Sequence, residues 1–276
     1  MLQTLTHDDV TELRFTTHRS RSMGFQVSAF VVRGVLIDAG FPDCASDLAR
    51  HVATVAPVGC VLTHYHEDHA GGAAAVARAG VPLWMDPRTA ERVRAPRPIG
   101  LYRRYTWGSP APVGDSVPFA LPSPIECIPT PGHSDDHHVV WDGATGTVFG
   151  GDLFIGVKVR ISHVSEQPRA LVQSLRRVIA LKPARYFDGH KGLLAAPIDA
   201  LTAKADWVEK TIESIDALIV KGLDDRTIAG RVLGRDWWNR TFTGGDYTMT
   251  NFVHCVRVTA SVSPSPDVLP RRRRQK

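Results

Sequence analysis

The chain has 276 residues, 43% of them hydrophobic and 22% charged, and a formal net charge of +5. That apolar share supports a full core, and no apolar run approaches the roughly 18 residues needed to cross a bilayer, so no membrane partner is expected. Four of the positive charges stand together at Arg271–Arg274; the remainder is nearly balanced and offers no broad basic face, which argues against nucleic acid as a partner.

In chain order, the first nine residues lack the basic start and apolar run of a secretion signal, which gives the expectation of a cytoplasmic protein. Thr11–Thr17 reads as a short strand. Phe25–Val32 and Val35–Asp38 are β-branched and aromatic, broken by an Arg33-Gly34 turn. Ser46–Val55 reads as a helix with Ser46 as its N-cap. Cys60–Thr63 is a compact apolar run of the kind found in buried strands. Ala70–Ala79 reads as a helix stopped by Gly80, and Val81–Met85 as another strand. Residues 86–117 are rich in Pro and Arg and carry Arg103, Arg104, Tyr105 and Trp107; they read as a short helix and a long surface loop able to cover a site. Strands resume at Ile125–Ile128, and Val139–Trp141 with Thr147–Phe149 make a hairpin. Leu171, Leu175, Val178 and Ile179 form one helical face, followed by a short strand at Arg185–Phe187.

After Pro197 the pattern changes. Ile198, Leu201, Ala205, Val208, Ile212, Ile215 and Ile219 make one stripe along a long helix. Shorter helical segments follow at Thr227–Leu233 and Tyr247–Thr259. The layout is therefore a strand-and-helix core at 1–195, a helical extension at 196–260, and a disordered basic tail at 261–276. The four cysteines form no CxxC pair and read as free thiols.

The chemistry lies in Thr63-His64-Tyr65-His66-Glu67-Asp68-His69-Ala70-Gly71-Gly72, directly after a buried strand. Imidazole nitrogen and carboxylate oxygen are ordinary ligands of divalent metals. His64 and His66, one residue apart, can be aimed at one ion by a short bend. Asp68 and His69, at a helix start, face a neighbouring position instead. Packing alone rarely brings four ligand-type residues to one strand exit. Three more segments put such residues just past a strand: His133 in Pro131–His138, Asp152 after Gly150-Gly151, and His190 after Asp188-Gly189.

These segments resemble the metallo-β-lactamase superfamily pattern: an HxHxDH stretch, a lone His, an Asp and a final His, in that order over about residues 11–192. The resemblance implies an α/β fold, a four-layer αββα sandwich with the metals at one edge and a C-terminal helical extension. It implies that His64, His66 and His133 bind one ion, that Asp68, His69 and His190 bind a second, and that Asp152 bridges them. Asp38 and His137 would support these ligands by hydrogen bonds. Two divalent ions, zinc by default with iron or manganese as alternatives, would hold a hydroxide as nucleophile, with Asp68 as proton acceptor. With Asp68, Asp152 and hydroxide counted, the site would keep a charge of about +1 and favour a small-molecule, anionic substrate.

The departures narrow the family. Class B β-lactamases commonly carry cysteine where Asp152 stands. Flavodiiron reductases resemble HxExDH instead. The stretch Leu153–Arg160 does not resemble the glutathione-binding context of glyoxalase II. The favoured chemistry is hydrolysis of a small ester, thioester or lactone. Phosphodiester cleavage by a nuclease of the same superfamily and an iron-dependent dioxygenase are the alternatives. Lys158, Arg160, Tyr105 and Trp107 are the candidate substrate contacts; the plainer reading of the first two is a solvated strand face. The long helix is expected to pack on the core or on a partner subunit, the latter making a homodimer.

Overall fold

The computed structural model describes residues 1–235 and 237–260. The basic tail expected at 261–276 lies outside the described residues. Six strands form one sheet in sequence order: β1 (Leu2–His7), β2 (Val10–Phe15), β3 (Val27–Val32), β4 (Val35–Ile37), β5 (Gly59–Val61) and β6 (Leu83–Trp84). β1 to β4 pair antiparallel, and β4, β5 and β6 pair parallel. A second sheet holds β7 (Ile125–Pro129), β8 (His138–Asp142), β9 (Thr147–Phe149), β10 (Arg185–Asp188) and β11 (Gly192–Leu193), also neighbour to neighbour. Only β9 and β10 pair parallel there.

Helices connect and cover the sheets: α1 (His18–Ser22), α2 (Ala45–Val55), α3 (Glu67–Ala70), α4 (Ala73–Arg78), α5 (Pro87–Arg94), α6 (Leu101–Trp107), α7 (Pro168–Ala180), α8 (Pro197–Val220), α9 (Asp225–Val232), α10 (Trp237–Phe242) and α11 (Met249–Ala260).

Side chains alternate across a strand, and here both faces are covered, which is why the central strands read as unbroken apolar runs. Phe30, Val32, Val35, Ile37 and Val61 of the first sheet meet Ile125, Val140, Phe149 and Phe187 of the second. Their alternates Val27, Ala29, Leu36 and Cys60 turn outward onto Leu48 and Val52 of α2 and Val76 of α4. Val139, Val148 and Tyr186 turn outward onto Leu171, Leu175 and Val178 of α7 and Leu201 and Ala205 of α8. These three apolar layers make a four-layer αββα sandwich. The second half of α8 leaves it: Val208, Ile212 and Ile215 pack with Ile228 of α9 and Phe252 of α11. Among the described residues, no helix is long and apolar enough to cross a membrane.

Four local expectations need correction. β1 went unread because its Leu-Gln-Thr-Leu-Thr-His pattern is only partly buried; it is held by edge pairing with β2. α2 starts at Ala45, after a 3₁₀ turn at Pro42–Cys44, so Ser46 lies inside the helix and caps nothing. The helix expected at Ala70–Ala79 is two pieces, α3 and α4, separated by Gly71 and Gly72. Residues 86–117 hold two helices, because Trp107 at the end of α6 packs its ring 4.9 Å from that of Phe41. α10 was also missed.

The break between α3 and α4 has a packing cause. Gly72 N donates to Gly40 O at 3.2 Å and Ala39 N donates to His69 O at 2.7 Å, so the exit of β4 lies on this turn. A Cβ at Gly72 would run into the Ala39 carbonyl oxygen, with Leu48 Cδ2 at 2.8 Å behind it. Gly72→Ala should cost about 1–3 kcal/mol of stability, the usual penalty for overpacking. Urea denaturation checks this; an unchanged midpoint would show that the turn has room to spare.

Candidate metal centre

The functional residues leave the carboxyl ends of neighbouring strands. Asp38 follows β4, with φ 62°. Thr63 to His69 lead from β5 into α3, Asp152 follows β9, and His190 follows β10. His133 comes from the loop between β7 and β8. The parallel pairs β4/β5 and β9/β10 put these exits on one edge of the two sheets.

The structure brings together all seven residues singled out as ligands. His64, His66, His133 and Asp152 form one group, and Asp68, His69, Asp152 and His190 form another, each with its potential ligand atoms within 4.8 Å of one another. Asp152 belongs to both. His66 Nδ1 lies 3.1 Å from His64 Nε2 and 2.8 Å from His133 Nε2. Asp152 Oδ2 is 3.3 Å from His133 Nε2, while Oδ1 is 3.0 Å from His69 Nε2 and 3.2 Å from His190 Nε2. Asp68 Oδ2 is 3.6 Å from His190 Nε2.

The remaining ring nitrogens set the tautomers. Asp38 accepts from Thr63 N at 2.8 Å and Thr63 Oγ1 at 2.9 Å. With its proton given to Asp38, the Thr63 hydroxyl can only accept from His64 Nδ1, at 3.0 Å, which leaves His64 Nε2 as a lone pair. Asp38 also takes His69 Nδ1 at 2.8 Å, and Gln26 O takes His190 Nδ1 at 2.8 Å. Each bond turns an unprotonated nitrogen inward. His66 Nδ1 then lies between two imidazole nitrogens, and the inner nitrogens of His69 and His190 face the Asp152 carboxylate. His69 Nε2 and Asp152 Oδ1 are fully buried and have no hydrogen-bond partner. Buried polar atoms rarely go unsatisfied, and a divalent cation satisfies this set. The donor set fits divalent metal ions.

The second layer is built as closely. His137 places its Nδ1 2.8 Å from Thr130 Oγ1, and its Nε2 accepts from Asp152 N at 3.1 Å, so it holds the backbone of the shared carboxylate. His138, the first residue of β8, is buried against Trp84. Three supports were not foreseen. Asp136 accepts from Tyr65 N at 3.0 Å and Thr89 Oγ1 at 2.6 Å, which fixes the backbone between His64 and His66. Asp188 accepts from Ile155 N at 2.8 Å and His190 N at 2.9 Å. Glu67, inside the motif, is buried and takes two donors of Arg103 from α6. The signal for Asp136 was its place beside a ligand loop; Arg103 pairs with a residue 36 positions away, which no local pattern reports.

Electrostatics split the histidines. Burial, with neighbouring imidazoles, holds His64, His66 and His137 well below their ordinary range and His133 down to about 4. Burial also opposes protonation of His69 and His190, but the carboxylates outweigh it: Asp152 and Asp38 hold His69 well above its usual value, and Asp152 lifts His190 to about 9. Burial would raise Asp152, yet His190, His69 and His133 keep it well below the carboxylate range.

The two groups lie in the wall of a cavity of about 690 Å³. Its lining includes Phe25, Tyr102, Arg103, Trp107, Glu166 and Lys204. Of the expected substrate contacts, only Trp107 lines it. Lys158 and Arg160 are exposed and are not part of the lining, because their alternates Val159 and Ile161 take the cavity face. Tyr105 is exposed and lies under the Arg19 guanidinium. The cations that do reach the cavity are Arg103, Lys191 and Lys204.

Two facing sheets between helices, with adjoining His and Asp clusters at the strand exits, define a class of metal-dependent hydrolase. The family model described as the Metallo-beta-lactamase superfamily matches residues 23–190, more than half of the chain, and the chain belongs to that superfamily. Among its relatives, a "Beta-lactamase-like protein 2 homolog" of Drosophila melanogaster is 28% identical over 204 residues, 67% of this chain and 68% of the relative. The homolog of the same name in Caenorhabditis elegans is 22% identical over 241 residues, covering 79% and 71%. In fold, the chain is similar to a metallo-beta-lactamase of Erythrobacter litoralis crystallised with beta mercaptoethanol in the active site. The TM-score is 0.57 at 20% identity, over 76% of this chain and 96% of that one. A metallo-beta-lactamase of Pseudomonas aeruginosa in its mono-zinc form gives a TM-score of 0.59 at 18% identity, over 76% and 95%.

The depressed histidines have a consequence for the metal-free protein. Between their lowered values and the ordinary value of about 6.5, the unfolded chain binds more protons than the folded one. Stability of chelator-treated protein should therefore fall as pH drops below about 6.5. His190 works the other way, its contribution fading as pH rises through about 9. Urea unfolding at pH 6.5 and 5 checks this; equal stability at both would contradict it. A second variant tests the Glu67–Arg103 pair. Arg103→Met leaves a buried carboxylate alone and should cost about 3–5 kcal/mol, with part recovered in the double variant Arg103→Met, Glu67→Gln. A loss under about 1 kcal/mol for the single variant would show the pair to be solvent-relaxed.

Proposed function

We propose that this chain is a binuclear metallohydrolase that cleaves a small ester, thioester or lactone. The observation that carries the reading is Asp152, shared by two ligand groups at the wall of a largely apolar cavity. In this reading His64, His66 and His133 would hold one ion and Asp68, His69 and His190 the other, with Asp152 a member of both ligand groups. Zinc suits the histidine-rich set, and iron or manganese would suit its carboxylates. Such a pair, when bound, acidifies water towards neutrality and polarises the attacked oxygen.

The chain's own groups do the rest. Asp68 lines the cavity, and in this reading it accepts the nucleophile's proton. Trp107 and Tyr102 add aromatic surface to the same cavity. Arg103 and Lys204 supply positive charge to an anionic substrate or to the carboxylate product. Those two cations also keep phosphodiester cleavage as a second reading. The apolar wall beside them favours an acyl substrate.

Metal analysis of purified protein should find two equivalents per chain. Chelation should abolish turnover of carboxylic esters or thioesters, and added zinc, iron or manganese should restore it. Asp68→Asn should lower kcat by roughly 10²–10⁴. A variant that keeps both metals and full turnover removes Asp68 from the mechanism; a protein that takes up one metal or none overturns the binuclear reading.

A further inference from the structure

The cavity has an apolar wall of its own beyond the ligand residues. Val159 and Ile161 contribute from the segment after Asp152, Leu171 from α7, Val208 from α8 and Phe252 from α11. The half-buried Val159 and Ile161 present the open surface of this wall, and Leu171, Val208 and Phe252, at 9%, 2% and 3% exposure, back it. They sit at the seam between two separate apolar cores, Leu171 in the sandwich's outer layer and Val208 and Phe252 in the C-terminal helical cluster. The metal end of this wall is polar. Glu166 Oε1 lies 3.9 Å from His133 Nδ1, and Lys204, one turn before Val208 on α8, donates its ammonium to Phe154 O.

A substrate whose reacting carbon sits at the ligand groups thus has one substituent directed along hydrocarbon. A sugar, peptide or phosphate there would leave its polar groups unpaired, which binding sites reject strongly. A saturated chain gains about 0.8 kcal/mol per methylene buried, close to fourfold in affinity.

Resting on the acyl-hydrolase reading above, we infer that the substrates are esters or thioesters of a hydrophobic acyl chain, and that Leu171, Val208 and Phe252 set the chain length accepted.

The test uses the metal-loaded enzyme. Acetyl, butanoyl, hexanoyl and octanoyl thioesters with one common leaving group are compared by kcat/KM. The value should rise about fourfold per methylene until the wall is filled. The matching fatty carboxylates are titrated in parallel by tryptophan fluorescence, since Trp107 and Trp238 line the cavity. Affinity should rise with length by a similar factor. Val208→Phe should lower the octanoyl-to-acetyl ratio at least tenfold, and Leu171→Phe serves if that variant does not fold. Hydrolysis without length dependence, together with flat carboxylate binding, overturns the inference and leaves the ester reading standing. Length-dependent carboxylate binding without hydrolysis of any thioester or ester sinks the ester reading and keeps the wall.

Discussion

The organising constraint of this protein is a buried set of like-minded electron pairs. Five imidazoles and two carboxylates converge at one edge of the sandwich, and most of them are cut off from water. The cluster is divided: burial keeps His64, His66 and His133 unprotonated beside one another, while Asp152 holds His69 and His190 towards protonation. The hydrogen bonds behind them set their aim: Thr63, Asp38 and Gln26 take the outer nitrogens of His64, His69 and His190 and turn the inner ones to the site. A site of this kind is held together by the rest of the fold until positive charge arrives, and the three apolar layers supply that restraint.

The topology explains why the restraint is rigid enough. Ligands sit on the first residues past strands whose two faces are both buried, so backbone movement at the exits would disturb two apolar layers at once. Main-chain bonds then tie exit to exit: Asp38 N to Val61 O at 2.8 Å, His138 N to Thr63 O at 2.9 Å, and Gly189 N to Gly151 O at 2.9 Å. Gly151, at φ 48°, allows Asp152 to turn back under His137; a side chain there would meet both His137 and Thr63. Asp38 shows the economy of this: it holds Thr63, which orients His64, and it holds His69 directly.

Much of this was legible in the chain. The core strands announced themselves through β-branched runs, and the long apolar stripe of α8 was readable from its spacing. The ligand positions were legible for a different reason: their residue types are rare at strand exits, and glycines flank them. What was hidden depends on contacts distant in sequence. Lys158 and Arg160 invited attention by charge and proximity to Asp152, but a one-residue shift in which alternates face inward turns both to solvent. Arg103 looked like any residue of a basic loop until α6 folded over the motif and met Glu67. Lys204 was one polar position on an apolar stripe; only the packing of α8 against α7 puts it in the cavity.

Arg103 and Lys204 share a location: both lie on the walls of the cavity and neither is in the ligand groups. The chemistry of ligation restricts residue type, so it leaves a mark that a single sequence can show. A wall asks only for surface of suitable shape, and Leu171, Val208 and Phe252 satisfy two cores as well as a cavity. Their identities would be apolar whatever they faced. The C-terminal helices thus serve stability and substrate choice through the same side chains, and a substitution that retunes the cavity must also be accepted by the seam between the cores.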